Sequence, residues 1–189
     1  MELRETILEG SIKAFNKKGL KFTMDDIAKT LGISKKTIYT VFSDKESMFY
    51  AMVDYMFDGI KESEQRIVED KKLSTIEKIR QIMGVMPESY RNIDFHKLYQ
   101  LKDKYPAVYK QVEERLETGW EETITLLEQG IKEGCIRDVH IPIVKMMLEA
   151  SIEQFFQRDI LIQNDITYMD ALNEVVAILM DGIAIHDQK

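Results

Sequence analysis

The sequence predicts an all-α protein, with a small three-helix head at the N-terminus and a larger helical body behind it. Three observations carry that reading. Apolar residues recur at i, i+3, i+4 almost throughout, the signature of amphipathic helices. Nine Gly and three Pro in 189 residues are too few to punctuate a sandwich of short strands. The stop and start signals that do occur, Gly19, Gly32, Gly84 and Gly134 against Thr23, Ser34 and Ser74, fall at helix-length spacing.

The elements follow in order. Ile7, Leu8, Ile12 and Phe15 mark a first helix that Gly19 stops. Thr23 with Asp26 forms a variant capping box before a short piece carrying Ile27, Ala28 and Leu31. Gly32 is its C′ residue, and Ser34 the N-cap of a two-turn piece from Lys35 to Phe42. Ser43 to Glu46 reads as an S-x-x-E box opening a helix of about six turns, with Met48, Met52, Met56 and Ile60 on its stripe. Ser74 and Glu77 cap the next helix, which Gly84 and Pro87 end. Residues 90–105 read as a short helix plus loops. Pro106 then starts one long helix through Trp120 to Gly134. Two apolar helices close the chain, about 143–156 and 169–185.

Composition narrows the function. The longest apolar runs, Met48 to Val53 and Val175 to Met180, fall far short of the roughly 20 residues of a membrane span. The charged N-terminus lacks the apolar core of a signal peptide, and the lone Cys135 fits a reducing compartment. A cytoplasmic location and no membrane partner are the expectation. The net charge of −7 argues against a nucleic-acid partner only as an average. Residues 1–49 hold nine Lys and Arg against seven Asp and Glu, so the head is locally basic on an acidic body.

The informative unit is 23–49, TMDDIAKTLGISKKTIYTVFSDKESMF. Two short helices joined by a Gly-containing turn form a helix-turn-helix. Ile27, Ala28 and Leu31 face inward from the first helix, and Ile38 and Phe42 from the second. Lys35, Lys36, Thr37 and Thr40 face outward with Tyr39 at the flank, basic and hydroxyl groups suited to base edges and phosphates in a major groove. Lys45, opening the next helix, stands where a phosphate could also be held. Taken alone, such a lysine pair is a solvated surface, and Tyr39 could simply cap the small core.

The run Gly19, Thr23, Asp26-Ile27-Ala28, Leu31-Gly32-Ile33-Ser34, Ile38-Tyr39, Phe42 and Lys45-Glu46 resembles the DNA-binding signature of the tetracycline-repressor (TetR) family. The resemblance covers about a quarter of the chain, and the remainder is similar only in helix count and order. It implies that Thr23 and Ser34 anchor the DNA backbone, that Tyr39 and Lys45 hold phosphates, and that Lys35, Lys36, Thr37 and Thr40 face bases or adjacent backbone. One position departs: Val41 stands where the family usually has His or an aromatic residue, which removes a phosphate donor.

The resemblance also implies a C-terminal ligand-binding and dimerisation domain. Residues 1–47 are then the DNA-binding domain and 48–189 the body. Pairing two heads lets a protein read two half-sites about 34–36 Å apart. Met147, Ile152, Phe155, Phe156, Leu172, Val176, Leu179 and Ile183 belong to helices more apolar than one covered face requires. The resemblance implies that they form a four-helix interface with a second copy; the alternative is a purely internal core. Met83, Met86, Tyr90, His96, Tyr99, Gln100, Tyr109 and Trp120 mix adaptable apolar groups with a few polar ones. They fit a pocket for a small effector, or ordinary core.

Nothing points to catalysis. Cys135 and His140 have no second Cys or His beside them, and the Glu113–Glu122 carboxylates repeat at solvated helix spacing with Lys110 and Arg115. No metal or cofactor is expected. The expected function is a ligand-responsive transcriptional regulator, a repressor binding a palindromic double-stranded DNA operator as a homodimer. The alternative is a helical ligand-binding or scaffolding dimer that does not bind DNA.

Overall fold

The computed structural model describes residues 2–90 and 96–185. They form twelve α-helices: α1 Leu3–Lys18, α2 Met24–Leu31, α3 Lys35–Tyr39, α4 Lys45–Glu69, α5 Thr75–Met83, α6 His96–Tyr99, α7 Leu101–Lys104, α8 Pro106–Glu117, α9 Glu121–Glu133, α10 Ile141–Gln157, α11 Ile160–Gln163 and α12 Tyr168–Ile183. The expectation of an all-α chain holds. Among the described residues the one β-type contact is an isolated antiparallel bridge between Ile136 and Ala184.

Packing gathers the chain into two compact units, Met1–Asp58 with Asn92–Arg115, and Gly59–Arg91 with Leu116–Lys189. The first is built round Ile7, Leu8, Phe15, Phe22, Ile27, Ile38 and Phe49, all 2% exposed or less. Phe15, Phe22 and Phe49 meet edge to face with centroids 5.5–6.4 Å apart, the arrangement ring quadrupoles favour. The buried Ser11 hydroxyl donates to the Ile7 carbonyl at 2.7 Å, so it carries no unpaired donor into the core. The α6–α8 stretch belongs to this unit. Lys97 donates to the Asn16 carbonyl at 2.7 Å, and Tyr105 packs on Phe49.

In the second unit α5 and α9 approach most closely. Gly130 makes this possible: a Cβ there would lie 2.8 Å from Ile79 and 3.2 Å from Ile136. Here too the lone thiol is placed. Cys135 is half-buried and donates to the Gly130 carbonyl at 3.5 Å, and burial pushes its pKa up.

Local signals set most boundaries. Gly32 ends α2 in the left-handed region (φ 66°), and the Ile33 N–H returns to the Ala28 carbonyl at 3.1 Å. Ser74 caps α5 with Glu77, as its spacing predicts. Three expectations are corrected. The box opening α4 is Asp44 with Ser47, not Ser43 with Glu46: the Ser47 N–H donates to Asp44 Oδ1 at 2.7 Å. The piece after Ser34 is helical only to Tyr39, and the N–H groups of Val41 and Phe42 close turns on the Ile38 carbonyl. The long helix from Pro106 is two, because Gly119 takes φ 80°, a left-handed conformation that breaks the ladder.

A fourth correction concerns the closing helices. Phe156, Leu172, Val176, Leu179 and Ile183 are buried within this chain's own core. Leu172, Val176, Leu179 and Ile183 share one cluster with Ile79, Ile82 and Leu127 of α5 and α9, and Phe156 stacks on Tyr168, so these side chains are taken up within the chain. Ile152 and Phe155 are half-buried, and Met147 is exposed. Ile143, Met146 and Met147 on α10, Ile178 on α12 and Ile185 just beyond it are each about half exposed or more, as are Ile160 and Ile162 on α11.

Candidate nucleic-acid interface

The helix-turn-helix is assembled by caps and ion pairs. Thr23 Oγ1 accepts from the Asp26 N–H at 3.2 Å, and Asp26 Oδ2 accepts from both the Thr23 N–H and its hydroxyl at 2.9 Å. Lys18 closes on Asp26 Oδ1 at 2.6 Å. These bonds, the Lys18 one first, hold the Asp26 carboxyl down at about pKa 2. A carboxyl depressed below its unfolded value of 3.8 contributes stability above that value and loses it as pH falls toward 2. The urea midpoints of Asp26→Asn and the natural chain should therefore differ at pH 5–7 and converge between pH 4 and 2. A constant gap would show that the charge of Asp26 is immaterial.

Ser34 does the same for α3. Its Oγ accepts from the Thr37 N–H at 3.0 Å and shares a 2.8 Å hydroxyl contact with Thr37 Oγ1. Lys35 reaches back to Asp25 at 3.0 Å, joining α3 to α2, and that hydrogen bond raises the ammonium's pKa. Ile38 anchors the inner side, fully buried. What α3 then presents outward is Lys36, Tyr39 and Thr40, at i, i+3, i+4 on one face. Tyr39 is 47% exposed, which does not fit a cap over the core. Thr40 is exposed, and its hydroxyl donates to the Thr37 carbonyl at 2.6 Å, which leaves the oxygen able to accept.

The eight candidate residues thus divide. Lys36, Tyr39 and Thr40 come together as an open face. Thr23, Ser34 and Thr37 are engaged in caps, and Lys35 in an ion pair. Lys45 is the largest departure from expectation. Its ammonium donates to the carbonyls of Leu20, at 2.7 Å, and Phe22 and lies over the Phe22 ring, 4.2 Å from the centroid. Burial pushes its pKa down, with Lys104 adding to the effect. Two of its three N–H donors are spent on backbone, so at most one remains for a phosphate. At the start of α4, meanwhile, the Asp44 carboxylate already takes the Ser47 N–H.

Sequence reasoning missed one cation near this face. The Arg4 guanidinium lies over the ring of Phe42, 5.6 Å from its centroid. Spacing alone could not find it, since the partners are 38 residues apart in two elements.

The proposed effector residues do not form a single described cluster. Met83, Met86, Tyr90 and Trp120 belong to the second compact unit, and Tyr99, Gln100 and Tyr109 to the first. Of His96 only its place at the head of α6 is described, and the neighbouring Phe95 lies outside the described residues. Met83, Met86, Tyr90 and Tyr109 are buried, Tyr99 and Trp120 half-buried, and Gln100 exposed. Met83 and Trp120 line a cavity with Thr123, Leu127, Val144 and Lys145, its volume about 10 Å³, room for one water molecule.

Two capped helices with a buried anchor and an open, basic and hydroxyl-bearing outer face define a helix-turn-helix DNA-binding protein. The comparisons agree. Residues 7–52, the stretch that holds the helix-turn-helix, match the family model described as "Bacterial regulatory proteins, tetR family". It is 25% identical over 182 residues, 96% of each chain, to the uncharacterized HTH-type transcriptional regulator YvaF of Bacillus subtilis. It is also 25% identical over 160 residues to the nucleoid occlusion factor SlmA of Vibrio campbellii, covering 81% of this chain and 79% of that protein. The fold is that of the transcriptional regulator FadR from Bacillus subtilis, solved in complex with stearoyl-CoA: TM-score 0.63, 19% identity, 96% of this chain and 99% of that one. The chain is a DNA-binding transcriptional regulator. Among the described residues no helix is long and apolar enough to cross a membrane.

Proposed function

We propose that the protein is a homodimeric repressor, released from a palindromic operator by a small apolar or amphipathic effector. The observation that carries the DNA reading is the open row Lys36, Tyr39 and Thr40 on a helix whose other side is fully buried. In this reading residues 1–47 bind DNA and 48–189 carry pairing and effector response. Thr23, Ser34, Thr37 and Lys35 hold α2 and α3 in register for the groove, while Lys36 and Thr40 read bases and Tyr39 holds a phosphate. Val41, half-buried, adds no donor. Repression follows from occupancy of a site near a promoter.

Pairing is supported by the exposed apolar residues of α10 and α12. Single exposed apolar residues are ordinary, but four on two adjacent helices with a fifth just past the end of α12 are what a monomer normally covers. Gly182 lies in the same stretch of α12, and a Cβ there would meet nothing within 4 Å. A glycine inside a helix costs about 1 kcal/mol against alanine, and nothing within this chain calls for it. A partner helix crossing closely at Gly182 supplies a reason. We assign the interface to Ile143, Met146, Met147, Ile178 and Ile185, with Ile152 and Phe155 at its margin. For the effector, the neighbourhood of Met83 and Trp120, with Lys145 5.6 Å from the Trp120 ring centroid as its cation, is the favoured place, and these side chains would have to part to admit more than a water molecule. The stearoyl-CoA bound by FadR supports an effector with a long apolar part.

The test is selection of genomic fragments by the purified protein. A repressor recovers a few promoter-proximal palindromes. The relationship to a nucleoid occlusion factor supports a second reading, a DNA-bound role outside transcription, which would instead recover many sites scattered along the chromosome. On the selected site Lys36→Ala should change base preference by about 1–3 kcal/mol at one position of each half-site. Unchanged preference, measured by competition against single-base variants, would remove Lys36 from the reading face.

A further inference from the structure

We infer that Arg4, at the start of α1, is a further DNA-contacting residue: a phosphate clamp set beside the C-terminal end of α3. The inference rests on the DNA-binding reading of the α3 face and extends it to an element outside the helix-turn-helix.

The placement comes from one contact. Phe42 follows the turn that ends α3, two residues beyond Thr40, and its buried ring is 4% exposed. The Arg4 guanidinium covers that ring at 5.6 Å, while the arginine itself is exposed. An aromatic ring occupies only one flat side of a guanidinium. The five N–H donors lie in the guanidinium plane, in the fork that suits a phosphate, and the ring accepts none of them as an ion pair would.

The contrast with the other cations is informative. Lys18 and Lys35 are neutralised by Asp26 and Asp25. Lys45 is spent on two carbonyls. Glu5, one residue from Arg4, accepts instead from the Glu2 N–H at 3.2 Å. Among the described residues no ion pair or hydrogen bond holds Arg4. The contact with the Phe42 ring therefore places this charge without neutralising it, so less freedom is lost when an anion arrives. Lys36 on the reading face and Arg4 beside Phe42, just past the end of α3, are then two cations without an ion pair among the described residues, one on α3 and one next to its C-terminal end.

Arg4→Ala, Arg4→Lys and Lys36→Ala in the full chain, titrated on the selected operator and on an unrelated duplex across a salt series, test this. Each phosphate contact contributes roughly 0.9 to the slope of log affinity against log salt, so two Arg4 side chains per dimer contribute about 1.8. Arg4→Ala should lower affinity for both duplexes by about tenfold or more, flatten the slope by that amount and leave the melting temperature of the free protein nearly unchanged. Arg4→Lys, which keeps the charge, should restore the slope. If Arg4→Ala lowers the melting temperature and leaves the slope intact, Arg4 only braces Phe42 and the inference is overturned. If Lys36→Ala weakens binding and Arg4→Ala does not, Arg4 is no contact although the α3 face stands. If neither affects binding, the α3 face itself is misassigned.

Discussion

An Ile178→Glu chain should sediment as a monomer and, if the proposed pairing holds, bind its operator about 10²–10⁴-fold more weakly, because two linked heads gain that much over one. The expectation rests on where Ile178 lies. It is 63% exposed on α12, and a glutamate there meets water in the isolated chain, so the melting temperature of the monomer should shift little. In a dimer the same carboxylate would be buried against apolar groups with no cation among them, a cost of several kcal/mol. Val176→Glu, two residues away and 4% exposed, is the companion variant. It places a charge in the core cluster and should prevent folding altogether. A stable dimer of Ile178→Glu would move the pairing surface elsewhere. Unfolding of both variants would mean that these exposed residues are covered within the chain.

The second large effect is expected at Lys45. Lys45→Ala leaves the carbonyls of Leu20 and Phe22 without their charged donor and uncovers one side of Phe22. Hydrogen bonds from a charged group are worth about 1.5–3 kcal/mol each, and a pair sharing one ammonium is not additive. A loss of about 2–3 kcal/mol in urea unfolding is the expected result. DNA affinity at temperatures where the variant stays folded should fall little, with its salt slope unchanged. If instead stability is kept and the slope drops as for a lost phosphate, Lys45 is the phosphate ligand that family resemblance implies.

These two residues show where the sequence was legible. Short-range chemistry was. Thr23 with Asp26, Gly32, and Ser34 with Thr37 are caps that act within a few residues, and their spacing gave both helices of the DNA-binding motif and the inward set Ile27, Ala28 and Ile38. Where two local options competed, the nearer one to the helix won, as Asp44 displaced Ser43. Gly119 was overrun because Leu116, Trp120 and Ile124 keep helical period straight across it, and periodicity does not register a single left-handed residue.

Long-range partners were not legible. The Lys45 carbonyls lie 23 and 25 residues away, so an exposed phosphate ligand and a buried tie look the same in a string of letters. The closing helices carry two apolar stripes each. Which one turns inward depends on α5 and α9, whose contribution no pattern within α10 or α12 contains. That is why Leu172, Val176 and Leu179 fitted an interface as well as a core in the sequence, and Ile178 was passed over.

The lone thiol has a practical consequence. Tucked against the Gly130 carbonyl with its ionisation suppressed, Cys135 offers little thiolate at neutral pH, and maleimides and methanethiosulfonates attack the thiolate. A second cysteine placed at an exposed site such as Lys29→Cys would be tagged ahead of it without first deleting the native one. Paired spin labels there would read the separation of the two heads directly, ruler-fashion, with and without candidate effectors.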